Sequence, residues 1–199
     1  MSKLNVDAVE PSSATTLTLG ASGDTIDVPS GATLDVTGAT VSGLSAGKVL
    51  QVVQTVKTDT FTRTSSGGDV GDVTGLSVSI TPSSTSNKVL VLANVMHGSA
   101  SGQENYVKIV RDSTDVYVGD AAGSRQRMSA SARESNTGGQ SQAAMVFLDS
   151  PNTTSSVTYK IQAGAEGVNI VYINRSENDG DNATIARTAS QITAMEIEG

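Results

Sequence analysis

The chain has 199 residues, a formal charge of −7 and no cysteine. That excludes a disulfide framework, a thiolate nucleophile and a cysteine-based zinc site, and the fold does not depend on an oxidising compartment. The acidic balance argues against a nucleic-acid partner, which needs a basic face. A single histidine, His97, leaves little room for histidine-based catalysis or metal binding. Serine and threonine together supply 50 residues, whereas the aromatic side chains are two Phe and four Tyr. Hydrophobic residues are 37% of the chain, below the roughly 45–50% usual for globular domains. The apolar residues nevertheless fall in short strand-like runs, so an all-β protein that completes its core by self-association is expected rather than disorder.

From the N-terminus, residues 4–47 contain no Lys or Arg, and short aliphatic doublets recur. They read Thr16-Leu17-Thr18-Leu19, Thr25-Ile26-Asp27-Val28, Thr33-Leu34-Asp35-Val36 and Thr40-Val41, with Gly or Pro turns between them. Each unit is a minimal strand offering two aliphatic side chains, too few for a core of its own. A flexible low-complexity linker is one reading of such text. The doublets keep their phase with the turns, and charge falls where a linker would want solvation. A thin β-structured stalk over residues 1–47 is therefore expected, with a head domain over 48–199. Met1-Ser2-Lys3-Leu4 opens no apolar run, so neither a secretory leader nor a membrane span is expected.

The head reads as longer strands. Val49-Leu50-Gln51-Val52-Val53-Gln54-Thr55-Val56 opens it. A loop at Gly67-Gly68-Asp69 and Gly71 precedes Leu76-Ser77-Val78-Ser79-Ile80, whose three aliphatics share one face. After the turn at Pro82, residues 89–96 are apolar on both faces, the mark of a central strand. Further strands are expected at residues 105–111, 115–118, 143–148, 156–162 and 168–174, with a looser polar segment over 119–140. A last strand over 191–198 should pair inside a sheet, because a frayed apolar tail is a liability. About nine short strands with turns between them suggest a sandwich or jelly roll.

Several stretches carry a resemblance. Ser2-Lys3-Leu4-Asn5-Val6-Asp7-Ala8-Val9-Glu10-Pro11, Leu17-Thr18-Leu19-Gly20-Ala21-Ser22-Gly23-Asp24-Thr25 and Val28-Pro29-Ser30-Gly31-Ala32-Thr33-Leu34 open it. Val78-Ser79-Ile80-Thr81-Pro82-Ser83-Ser84-Thr85-Ser86-Asn87-Lys88, Phe147-Leu148-Asp149-Ser150-Pro151, Tyr172-Ile173-Asn174-Arg175-Ser176 and Ile192-Thr193-Ala194-Met195-Glu196-Ile197 continue it. This text resembles tail-fibre and related appendage proteins of bacteriophages that infect marine bacteria. The resemblance implies a homotrimeric virion structural protein made in the host cytoplasm. Its N-terminal segment (Leu4, Val6, Leu17, Leu19) would dock on other virion proteins. Its C-terminal jelly roll would be similar to those of tumour-necrosis-factor and C1q trimers, and would meet a host surface glycan or protein. Capsid decoration is the rival reading, because a stalk under 50 residues is short for a long fibre.

The candidate chemistry is sparse. Glu104, Asp112, Asp115, Asp120 and Glu134 could supply the carboxylate pair of a polysaccharide depolymerase. Only Tyr106 and Tyr117 lie nearby as sugar platforms, so no enzyme is expected. Arg125, Arg127 and Arg133, with Lys108 and Arg111, make the central segment locally basic; guanidinium forks there suit anionic sugars or phosphates. Interspersed acids offer pairing between subunits as the alternative. Tyr106, Arg125, Arg127 and Arg133 are the candidate receptor contacts. Glu177-Asn178-Asp179-Gly180-Asp181-Asn182 is oxygen-rich, with Asp179 and Asp181 as weak calcium candidates, but it lacks EF-hand spacing and also reads as a hairpin loop. His97, followed by Gly98, reads as a turn or interface residue at the end of the strongest strand. Gly47-Lys48 lacks the rest of a P-loop. With no secretory leader expected, the sequons at Asn152, Asn174 and Asn182 read as chance matches. No cofactor is expected, and a carbohydrate-binding module of a bacterial surface is the remaining alternative.

Overall fold

The computed structural model describes residues 24, 25, 27–33, 35, 36 and 47–199. The chain divides into two units, residues 1–45 and 46–199. In the first, the described residues hold a turn in which the Ala32 N–H donates to the Pro29 carbonyl (3.0 Å), and Gly31 takes φ +87°. That φ is the left-handed position a type II turn asks of glycine. Val28 and Val36 are exposed, and no strand is present among the described residues there. The doublet at residues 16–19 and the docking positions Leu4, Val6, Leu17 and Leu19 lie outside the described residues.

The second unit is an all-β jelly-roll sandwich. Its strands are β1 (Val49–Lys57), β2 (Phe61–Thr64), β3 (Gly71–Ile80), β4 (Lys88–Ser99), β5 (Glu104–Arg111), β6 (Thr114–Val116), β7 (Ala130–Arg133), β8 (Ser141–Asp149), β9 (Val157–Ala165), β10 (Ile170–Ile173) and β11 (Ser190–Ile197). One sheet runs β1-β11-β4-β8, with β10 meeting the far end of β4 and β2 pairing β10. The other runs β3-β9-β5, and the outer edge of β5 carries β6 and β7. All pairs are antiparallel, and the chain alternates between the two sheets from β3 to β5, the jelly-roll path.

Strand β4 is central, as its two apolar faces imply. Val89, Val91, Ala93 and Val95 point into the core, while β11 and β8 flank the strand. The terminal strand β11 lies between β1 and β4. The core is almost wholly aliphatic; Tyr159 is its one fully buried aromatic. Strand β3 needs a device to contribute both Val73 and Leu76, because residues three apart face opposite sides of a regular strand. A register shift between Asp72 and Ser77 supplies it, with Gly75 at φ +81°. This is a β-bulge with glycine in the left-handed region.

Two polar clusters close the sandwich. At one end the buried Glu196 accepts from Gln51 Nε2 (2.6 Å), Asn87 Nδ2 (2.6 Å), and the Ser83 N–H and hydroxyl (2.6 and 2.7 Å). These contacts tie β1 and the β3–β4 turn to β11. Between the sheets, Asp149 of β8 accepts from the Tyr159 hydroxyl (2.7 Å) of β9 and pairs with Arg111 (2.5 Å) of β5.

Two short strands lie outside the expected set. Phe61–Thr64 and Ala130–Arg133 carry too few apolar residues to declare a period. Residue 97 is corrected as well: β4 runs on through Ser99, so His97 sits inside the strand and inside the core. Its Nδ1 meets Asn105 Oδ1, and Asn105 Nδ2 donates to Ser99 Oγ (3.1 Å). Burial lowers the imidazole's pKa, partly opposed by Asn105 and by the charge of Glu134.

Burial alone would raise the pKa of Glu196, but the donors from Asn87, Gln51 and Ser83 outweigh it and bring the value from 4.5 to about 2. A depressed carboxylate stabilises the fold above its unfolded pKa, and that contribution disappears as pH falls through the folded value. Urea unfolding at stepped pH should therefore show about 3 kcal/mol of stability disappearing between pH 4.5 and pH 2. Glu196→Gln should flatten that acid limb. At the bulge, Gly75→Ala should lower the unfolding free energy by about 1–2 kcal/mol, from the left-handed φ alone. Gly75→Asn should cost less, a ranking that urea midpoints would check.

Candidate functional site

Side chains on β4 alternate, so its apolar character on both faces leaves half of it outside the core. Registering the neighbouring strands extends this outer face into rows. Val52, Met195, Leu90 and Leu148 lie opposite one another across β1, β11, β4 and β8. The next row is Gln54, Thr193, Leu92 and Val146, and the third is Val56, Gln191, Asn94 and Ala144. None of these twelve side chains is charged, in a chain where 17% of residues are. Val52 is 55%, Val146 59% and Leu148 47% exposed. Gln54 Nε2 donates to Thr193 Oγ1 (2.9 Å), and Gln142, one row beyond, donates through Nε2 to Asn94 Oδ1 (2.9 Å).

The face runs onto an open edge. Among the described residues, β8 pairs only with β4, over nine unbroken register positions. Its sequence, Ser-Gln-Ala-Ala-Met-Val-Phe-Leu-Asp, has no Lys, no Pro and no bulge. Protective features of that kind are what usually keep an edge strand from pairing with another chain.

The opposite side of the sandwich, over β5 and β7, carries a groove of about 700 Å³ lined by Glu104, Tyr106, Arg125, Met128, Ser131 and their neighbours. Tyr106 stands between Ser131 on β7 and Gly164 on β9, so no bulky side chain flanks it across the strands. Burial, then the charges of Glu104 and Glu166, raise the pKa of its phenol against the opposing pull of Arg133, so the hydroxyl keeps its proton at neutral pH. Among the described residues Arg125 has no carboxylate partner; its main-chain N–H donates to the Ala122 carbonyl (3.3 Å).

The structure separates the other candidate residues. Arg127 Nε donates to the Gly119 carbonyl (2.7 Å) and closes the neck of the β6–β7 loop. Arg133 is held by the Gly102 carbonyl (2.5 Å), Glu166 (3.2 Å) and Glu104 (3.8 Å). Lys108 pairs with Asp115 (2.7 Å), and Arg111 is spent on Asp149. Of the carboxylates, Asp112 holds a turn by accepting from the Thr158 N–H (2.9 Å), and buried Glu134 accepts from Ser141 Oγ (2.9 Å). Asp120 is exposed on the loop. Asp179 is gripped by Arg175 (3.1 Å) and Arg187 (2.6 Å), which occupy the oxygens a cation would need. Asp181 lies beside it on the rim of a smaller cavity of about 400 Å³. No cluster of three His, Cys, Asp or Glu suited to a metal occurs among the described residues. Asn174 is fully buried, its Nδ2 donating to the Lys57 and Asp59 carbonyls (both 2.9 Å), so it is no glycan acceptor in the folded chain.

No protein-family model matches the chain, and no curated protein matches it. Among solved structures it is similar to chains of infectious bursal disease virus. For the Gt strain the identity is 14%, covering 88% of this chain and 45% of that one, with a TM-score of 0.41. For the VP2 subviral particle the identity is 15%, covering 80% and 41%, with a TM-score of 0.39. The chain thus spans less than half the length of these neighbours.

Arg127 and Arg125 sit two residues apart with different duties, which gives a direct check. Arg127→Ala should make residues 119–128 markedly more sensitive to subtilisin while global stability stays within about 0.5 kcal/mol. Arg125→Ala should leave the cleavage rate unchanged.

Proposed function

We propose that this chain is a self-associating structural protein of a bacteriophage particle, a short fibre or knob built as a homotrimer. Residues 48–199 form its outward head, and residues 1–47 dock it on neighbouring virion proteins. The head meets the host surface and carries no catalytic function. The phage assignment rests on the sequence resemblance. The observation that carries self-association is the uncharged outer face of β1, β11, β4 and β8.

Two magnitudes support that reading. Four strands at about 4.8 Å and three rows at about 6.8 Å make a patch of roughly 400 Å². A monomer's largest apolar patch is about 300–600 Å², often functional, and one partner in a stable interface contributes about 800 Å². The face supplies about half, and Val49, Leu50 and the β8 edge adjoin it. Charge selects the occupant. Copies of a chain with net charge −7 repel one another across most surfaces, and this face has no charge to repel with. A closed ring needs two different contacting patches on each copy, and the face and the β8 edge are two.

Light scattering on the full chain should give three times the 20.2 kDa mass. Leu148→Glu, at a position already exposed in the single chain, should give a folded monomer with the same far-ultraviolet spectrum. A wild-type monomer at micromolar concentration, or an unchanged trimer in the variant, would overturn the assembly. Gold-labelled antibody on particles should mark the tail or a projecting fibre; uniform labelling of the capsid shell would assign the chain to decoration instead.

A further inference from the structure

We infer that the groove over β5 and β7 binds a carboxylate-bearing sugar unit, a uronic-acid-type residue of a surface polysaccharide. The inference deepens the attachment reading above and depends on it for its biological setting, though the binding itself is testable without it.

The groove holds three kinds of recognition chemistry at once. The first is a cation without a partner among the described residues. The described basic side chains of this region are held by carboxylates or, for Arg127, by a carbonyl; Arg125, which lines the groove, alone among them has no side-chain hydrogen bond or ion pair to a described residue. A planar guanidinium matches a carboxylate in bidentate fashion, and the pair excludes competing water better than a lysine would.

The second is an open ring. Tyr106 has Gly164 and Ser131 directly opposite it, so no large side chain stands directly across from its ring on β9 or β7. A tyrosine in that setting offers an apolar platform to the C–H face of a pyranose and a hydroxyl donor at its tip. The third is a polar wall. Ser124, Gln126 and Ser131 line the groove, and the Glu104 carboxylate stands among them as an acceptor for sugar hydroxyls.

Together these features select among ligands. A neutral sugar leaves Arg125 unsatisfied. A phosphate dianion asks for more positive charge than one free guanidinium, and it meets the Glu104 carboxylate in the same groove. An apolar ligand finds too many polar groups to desolvate. A hydroxyl-rich monoanion satisfies all three features. The volume of about 700 Å³ holds one to two sugar units, within the ordinary range for small-ligand sites. The β6–β7 loop that carries Arg125 is held in place by the Arg127 and Gly119 contacts, so the wall is formed before a ligand arrives.

The test is titration calorimetry on the full chain with short oligomers of glucuronate, galacturonate and mannuronate, and with sialic acid. A neutral glucan oligomer and inorganic phosphate serve as controls. At least one acidic sugar should bind, at least about tenfold more tightly than the neutral oligomer, and should weaken as salt is raised. Arg125→Ala should lose about tenfold or more, Tyr106→Ala a similar factor, and Tyr106→Phe much less. Binding of none of the acidic probes, equal binding by Arg125→Ala, or tighter binding of phosphate would overturn the inference. Light scattering on the same samples reports the oligomer separately. A failed titration with an intact trimer therefore leaves the assembly reading standing, and sugar binding by a monomer removes only the assembly.

Discussion

A central strand that is apolar on both faces needs two covers, and the sandwich gives β4 only one. Val89, Val91, Ala93 and Val95 are sealed by the opposing sheet, while Leu90, Leu92 and Met96 look outward across β11 and β8. Strands buried on both faces are ordinary in sheets with layers on each side; in a two-layer sandwich the outer face is normally polar. The departure here extends over four strands rather than one. A single outward leucine needs no explanation, but three registered rows without a charge do. The same constraint governs the fold and the assembly, because shifting β4 by one residue would exchange its core and outer sets without making either face polar. Register therefore has to be set elsewhere.

The polar clusters set it. Glu196 accepts four hydrogen bonds from three residues on two separate segments, so β11 has one position along β1 and the β3–β4 turn at which its carboxylate is satisfied. Asp149 performs the same task between the sheets through Tyr159 and Arg111. Asn174, at φ +61°, bridges the Lys57 and Asp59 carbonyls and accepts from Ser190 Oγ (2.6 Å), fixing the start of β11. Among the described residues no buried side-chain nitrogen or oxygen lacks a hydrogen bond. A misregistered β4 would bury the same aliphatic area and leave these groups unpaired, a penalty of about 1–3 kcal/mol for each. With one fully buried aromatic in the core, specificity comes from polar pairs at the ends rather than from large interlocking rings.

Much of the head was legible because its long strands announce themselves. Leu76, Val78 and Ile80 alternate, residues 89–96 are apolar throughout, and Ile192, Met195 and Ile197 close the chain. The illegible parts are those where pairing is decided at a distance. Phe61–Thr64 is a strand because β10 presents a free edge to it, and Ala130–Arg133 because β5 does. Neither has an apolar period of its own. The bulge at Gly75 was equally silent, since Val73 and Leu76 look out of phase until the ladder breaks between Asp72 and Ser77, where β3 advances five residues against two on β9. Among charged residues, composition suggested a basic patch, but pairing divides it. Lys108, Arg111 and Arg133 are absorbed by acids, and Arg125 is left. No spacing rule distinguishes Arg125 from Arg127 two positions on; the Gly119 carbonyl does.

The two exposed features fall on opposite faces of the sandwich, and that placement has a consequence. The uncharged face belongs to the sheet of β1, β11, β4 and β8, whereas the groove lies over β5 and β7 of the other sheet. Copies that bury the first face leave the second turned away from the contact, so assembly and ligand binding need not compete for surface. A weak site gains from this arrangement, because each copy in a ring presents one groove to the same extended polymer. Linked sites convert the second and later contacts into intramolecular ones, raising avidity by about 10²–10⁴ without a new interaction. A shallow polar groove with one free arginine is a poor receptor for a lone monomer and an adequate one when repeated. The hydroxyl-rich, aromatic-poor composition fits that economy: a modest core suffices for each copy when affinity comes from number.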